Sequence, residues 1–129
     1  MRAEPELVTV CRQVRARQQE PSAFDVAFAR ATVYAERLPD RPGVVASDLP
    51  GKGRWVLVFS TLERLERQLG EVPWLSTTGV DLLDQLPHGL GVLLDVCEEH
   101  GLPLLPQPGG KARFGGARLP SHPGQAQAR

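Results

Sequence analysis

The chain has 129 residues, 41% of them apolar, enough for one domain, or a domain with a tail, that folds without disulfides or metals. Its 15 basic and 15 acidic residues cancel unevenly. Residues 1–105 hold 11 basic and 15 acidic residues, a net of −4, and residues 106–129 hold Lys111, Arg113, Arg118 and Arg129 with no acid, a net of +4. An acidic body argues against nucleic acid as its main partner, and the four basic charges of the tail are dilute.

In chain order, the first predicted element is a helix over Pro5–Gln19. Leu7, Val10 or Cys11, and Val14 recur on one side, with Arg12, Arg15, Gln18 and Gln19 on the other. Pro21 breaks it. The spacing Ser22 to Asp25 reads as a capping box for a short helix carrying Phe24 and Phe28. Ala31–Glu36 alternates like a strand with one wet face, followed by a Pro/Asp/Gly turn over Leu38–Gly43. Val44–Ala46 reads as a second strand and Leu49–Gly53 as a second turn. Arg54–Phe59 is apolar at consecutive positions, which predicts a central strand buried on both faces.

Ser60 is the predicted N-cap of the next helix, with Glu63 completing its capping box. Leu62, Leu65 and Leu69 form its buried stripe, Glu63, Arg64, Glu66 and Arg67 face water, and Gly70 closes it. Trp74–Thr77 reads as a short strand. Thr78 to Asp81 is a further capping box, opening a helix that Pro87 stops. Gly91–Val96 is a fifth strand, and Leu102–Leu105 a last short edge strand. The predicted class is α+β: a mixed, largely antiparallel sheet of about five strands with packed helices, in the order α-α-β-β-β-α-β-α-β. Residues 1–22 form the N-terminal helix, 23–106 the α+β domain, and 107–129 a basic Pro/Gly-rich tail predicted to be disordered.

Cys11 and Cys97 have no CxxC spacing, and apolar neighbours predict two buried free thiols. The N-terminus does not resemble a signal peptide and no apolar run approaches membrane-spanning length, so a cytoplasmic location is expected. Asp95, Cys97 and His100 are close enough to suggest a nucleophile with its base. Three neighbours at a strand end rarely converge in space, and no oxyanion-hole motif accompanies them, so a buried cysteine beside a polar turn is the preferred reading. With three histidines in all and no second cluster, no metal site or cofactor is implied. His88 and His122 lie in Pro/Gly-rich turns.

Two surface readings remain. Ser60 and Thr61, and Thr77, Thr78 and Gly79, follow strands and open helices, so they form a candidate anion pocket if both turns share a sheet edge. Trp74, with Arg64 and Arg67, is the candidate partner-binding set. Trp55 belongs in the core. The apolar stripe of the first helix needs a cover, either the body of the same chain or a second protomer.

A resemblance rests on Trp55-Val-Leu-Val-Phe-Ser60 with Glu63-Arg64-Leu65, then Gly79-Val-Asp-Leu-Leu83, Gly91-Val-Leu-Leu-Asp95 and Leu102-Pro-Leu-Leu-Pro106. Over roughly Phe24–Pro106 the chain resembles the SseB protein N-terminal domain, a small bacterial α+β domain. Members often carry Asn-Pro near the position of Asp95-Val96. The resemblance implies the fold and an accessory or interaction role, with no enzymatic activity to carry over. A non-enzymatic protein-interaction domain is therefore the first expectation. A toxin-neutralising immunity protein, suited by an acidic body, and an anion-binding protein or an enzyme with a small-molecule site near Ser60 and Thr78 using Asp95 or His100 are the alternatives.

Overall fold

A computed structural model describes residues 5–87 and 89–105. The expectations for the tail, residues 107–129, and for His88 and His122 lie outside those residues. Helix α1 (Glu6–Arg15) buries Leu7, Val8, Val10 and Cys11. It stops short of Gln19 because Arg17 takes a left-handed backbone (φ 62°), which a right-handed helix cannot continue. Helix α2 (Pro21–Arg30) starts on Pro21 itself, at a position where a missing N–H is no loss. The expected Ser22 cap is not used: Glu20 is the N-cap, with no side-chain bond. Phe24, Ala27 and Phe28 make the buried face of α2, spaced as a helix requires.

Six strands form one mixed sheet. They are β1 (Thr32–Glu36), β2 (Ser47–Leu49), β3 (Gly53–Phe59), β4 (Trp74–Thr78), β5 (Gly91–Leu94) and β6 (Leu102–Leu104). The order is β4-β1-β3-β5-β6, with β2 also pairing to β3. β3 and β5 are parallel and the other pairings antiparallel, so the α+β class and mixed sheet are as expected.

The second strand is shifted from Val44–Ala46 to Ser47–Leu49. β1 and β2 share β3 as a partner, β1 against Val58 and Phe59 and β2 against Gly53–Trp55. Residues 37–46 leave the ladder between them as an excursion closed by the Arg37–Val44 bridge and the Leu38 N–H to Gly43 C=O bond. Val44 and Ala46 are apolar because they pack on the core from this excursion, not because they sit in a strand.

One face of the sheet carries the main core. Val33, Ala35, Val56, Val58, Val92 and Leu94 meet Leu7, Val10 and Cys11 of α1, Phe24 and Phe28 of α2, and Leu82 and Leu86 from helix α4 (Gly79–Gln85) and its end. The stripe of the first helix is thus covered by the same chain. The other face holds buried Trp55, packed over Gly91, and Phe59, and helix α3 (Leu62–Leu69) contacts β1 and β3 and buries Leu65. Among the described residues no helix is long and apolar enough to cross a membrane.

Candidate functional site

Parallel strands β3 and β5 end side by side, where open sheets present a crevice. β3 runs directly into Ser60, and β5 into Asp95. Asp95 leaves the strand in a left-handed conformation (φ 49°), a region that Asp and Asn tolerate better than other side chains. This ends β5 at Leu94, before the expected Val96. The Asp95 N–H still donates to the Val58 C=O at 2.8 Å. Its carboxylate turns inward and is fully buried.

Three donors meet that carboxylate. Oδ1 accepts the Ser60 N–H at 2.9 Å, and Oδ2 accepts the Ser60 hydroxyl at 2.7 Å. Oδ2 also meets His100 Nε2 at 2.6 Å; a carboxylate only accepts, so Nε2 carries the proton in this contact. Ser60 and His100 are both buried. This explains why Thr61, not the expected Ser60, caps α3. The Ser60 hydroxyl is committed to Asp95, and Thr61 Oγ1 accepts the Arg64 N–H at 3.1 Å.

Serine, histidine and aspartate are the residue types of a hydrolase relay, but their order here differs. A relay places the imidazole between hydroxyl and carboxylate. Here the carboxylate lies between, and serine and histidine both bind it. The arrangement ties the turn after β5 to the junction of β3 and α3.

A charged layer lies outside it. Arg64 Nη1 donates to Ser60 Oγ at 3.2 Å and Arg64 Nε lies 3.6 Å from Glu98 Oε2. Arg67 Nη1 reaches the same Glu98 oxygen at 2.9 Å. Arg64 was expected to face water, yet its side chain is only 14% exposed, because Ser60 and Glu98 draw it inward. A cavity of about 240 Å³ lies here, lined by Phe59, Arg64, Arg67, Asp95, Cys97 and Glu98 among others. From the other side Arg15 Nη1 of α1 donates to the Gly101 C=O at 2.9 Å.

The cysteines part company. Cys11 is buried as expected, but Cys97 is exposed: the left-handed turn at Asp95 takes the chain out of the sheet, so Cys97 lies in the turn that follows and not in the strand. Burial, reinforced by the Asp95 carboxylate and opposed by Arg12 and Arg15, pushes the Cys11 thiol up from 9.0 to about 12. The native protein is expected to show one fast thiol toward an aromatic disulfide reagent at neutral pH, and the second only on unfolding. Because the folded thiol titrates higher than the unfolded one, its contribution to stability is complete below pH 9 and lost as pH rises toward about 12. Two equally fast thiols in the native protein would contradict this placement.

The candidate anion pocket is divided. Ser60 and Thr61 line an open cleft of about 590 Å³ with Arg30, Tyr34 and three glutamates, Glu6, Glu63 and Glu66. Thr77, Thr78 and Gly79 are not part of its lining. Thr77 pairs with Val33, Thr78 caps α4 through the Asp81 N–H, and the Gly79 N–H donates to the Ala31 C=O. Of the partner-binding set, Trp74 is 40% exposed and leans on Tyr34, with ring centroids 5.9 Å apart. Arg64 and Arg67 lie apart from it, on Glu98. Tyr34 joins the aromatic pair to the acidic cleft, since it belongs to both. Among the described residues no group of three or more His, Cys, Asp or Glu is placed to hold a metal ion.

Sequence reasoning places Asp95 or His100 at the Ser60 edge only as a possible small-molecule site and misses the mutual bonding, because Ser60 and Asp95 follow two different strands and lie 35 residues apart. The available signal was the pairing of two doubly apolar strands, each followed at once by a polar residue.

This α+β body, with its parallel pair ending in Ser60 and Asp95, matches the SseB protein N-terminal domain family over residues 6–108. The chain belongs to that family. The match begins in α1, earlier than Phe24, and the SseB domain of this chain therefore includes the first helix, whose Leu7, Val10 and Cys11 share the main core. Comparison with the curated proteins and with solved structures gave no match.

Proposed function

We propose that this SseB domain is a non-enzymatic, cytoplasmic protein-interaction module that docks a partner on the face carrying Trp74 and Tyr34. The observation behind this reading is Trp74, a large aromatic left 40% exposed and braced by Tyr34 in a domain whose other tryptophan is buried. Aromatic anchors of this kind dominate binding energy where they become fully covered. The adjoining cleft, with Glu6, Glu63 and Glu66 against Arg30, favours a partner that brings a basic side chain to it. The Ser60–Asp95–His100 order supports a non-enzymatic role, since it supplies neither a relay nor a hydroxyl activated by an imidazole.

The test is capture of partners from the native cytosol with the tagged full chain and its Trp74→Ala variant. The expected result is a stoichiometric partner whose affinity falls roughly 30-fold in the variant, the loss typical of an interface hot spot. A partner held equally by both proteins would sink the reading.

A further inference from the structure

We propose that strand β4 is a docking edge for a second copy of this chain, pairing antiparallel with its own symmetry mate about Ser76. β4 ends the sheet and has β1 as its neighbour on one side. The register fixes which of its backbone groups are used. The Arg37 N–H donates to the Pro73 C=O and the Gly79 N–H to the Ala31 C=O, both within the β1–β4 alignment of Val33 with Thr77 and Ala35 with Leu75. Antiparallel bonding alternates, so the odd-numbered residues of β4 bond to β1, and Trp74, Ser76 and Thr78 aim their N–H and C=O groups away from it. Thr78 gives its C=O to the first turn of α4, as an N-cap does, and keeps its N–H for the edge.

This outward set is self-complementary. With the two-fold axis at Ser76, the two Ser76 residues exchange a pair of bonds, and each Trp74 C=O accepts from the Thr78 N–H of the other copy. Four hydrogen bonds form, and the Thr78 N–H of each copy is used, whereas a register centred on Leu75 places Thr78 opposite Val72, outside the strand. The side chains agree. Exposed Ser76 is small enough to meet itself on the axis, and Trp74 falls opposite Thr78, an aromatic and β-branched pair of the kind that stabilises adjacent strands.

Trp74-Leu-Ser-Thr-Thr78 contains no charge and no proline, two of the devices by which edges are kept from pairing. The opposite edge differs: β6 has three residues, with Pro103 in the middle. A second copy is therefore favoured at β4. A five-residue ladder covers less than the ~1,600 Å² of a standard interface, so the dimer is reversible and micromolar.

The full-length chain should pass from monomer to dimer in sedimentation equilibrium between ~1 and ~300 μM, the span a micromolar Kd requires. Ser76→Lys puts a charge on the axis, and Ser76→Pro removes the outward N–H without touching the β1 ladder. Both should remain monomeric throughout, with an unchanged circular dichroism spectrum. Independently of any variant, exchange of the Ser76 and Thr78 amides in the wild-type protein should slow as concentration rises. A wild-type monomer at the top of the range, a dimer that survives either substitution, or exchange at those amides indifferent to concentration would each overturn the proposal. Failure here is distinct from failure of the Trp74 reading: a monomeric chain that loses its partner on Trp74→Ala overturns the dimer alone.

Discussion

Replacing Asp95 with alanine is expected to lower the stability of the folded domain by at least about 3 kcal/mol, because three buried donors lose their acceptor at once. The Ser60 N–H, the Ser60 hydroxyl and His100 Nε2 all end on this carboxylate, and all three residues are buried. Alanine also tolerates the left-handed backbone at this position less well than aspartate. In a domain of this size the loss corresponds to a fall in Tm of more than about 10 °C. Asp95→Asn separates the contributions. It keeps the left-handed tolerance and one acceptor oxygen but places an amide NH₂ where Oδ2 or Oδ1 accepted, so an intermediate loss is expected. Thermal and urea unfolding of the three proteins decide the matter. A loss below about 1 kcal/mol for Asp95→Ala would show that water or a local shift satisfies the orphaned donors.

Gly79→Ala is expected to be at least as damaging, against what helix propensity alone foretells. Gly79 is the first residue of α4, and alanine is ordinarily the better helix former by about 1 kcal/mol. A methyl group there, however, would run into the carbonyl of Phe28, and would lie 2.7 Å from its Cδ2. A carbonyl in α2 cannot swing aside as a flexible side chain can. Either α4 lifts from α2, breaking the bond from the Gly79 N–H to Ala31, or Phe28 leaves its place in the core. Overpacking typically costs about 1–3 kcal/mol, and a clash with backbone that cannot yield puts this one at the top of that range or above it. Gly70→Ala is the control. Gly70 (φ 79°, ψ −157°) lies in a backbone region that is essentially glycine's alone, but a methyl group there meets open space, so only the backbone cost, about 1–3 kcal/mol, is expected. If Gly70→Ala proved the more destabilising of the two in urea unfolding, the close approach of α2 and α4 would be wrong.

The two glycines also mark how far local reasoning reaches. Gly70 is readable from its neighbours, since it closes a helix whose stripe of Leu62, Leu65 and Leu69 is plain. The requirement at Gly79 comes from Phe28, some fifty positions earlier in the chain. No local pattern carries it. The candidate site divides in the same way. The polar residues at the strand ends are visible in the sequence, but local spacing pairs Ser60 with Glu63 as a cap and groups Asp95 and His100 with Cys97, and offers Asp95 or His100 to Ser60 only as a possible small-molecule site. Their true association needs the parallel pairing of β3 with β5. The same pairing puts Ser60 under Asp95 and so hands the capping role to Thr61.

What the sequence determined by itself is what depends on short-range chemistry. Consecutive apolar residues in Arg54–Phe59 and Gly91–Leu94 require burial on both faces and hence a central position. Apolar residues at helical spacing call for the amphipathic helices, and Thr78 and Gly70 set two of their ends. Those features suffice for the α+β class and for the SseB family. What only the tertiary structure decided is what depends on which distant segments share a volume. Val44–Ala46 looks like a strand until β1 and β2 claim β3 between them. Cys97 looks buried until Asp95 turns left-handed toward Ser60 and swings it out. Arg64 looks solvated until Ser60 and Glu98 converge on it. Trp74 and Trp55 are both large aromatics of strands, and the order of the sheet alone places one on an edge strand and the other on a central strand, packed over Gly91. Periodicity records how much of a residue must be hidden, whereas the partner that hides it is set by strand order, and strand order is a property of the whole chain.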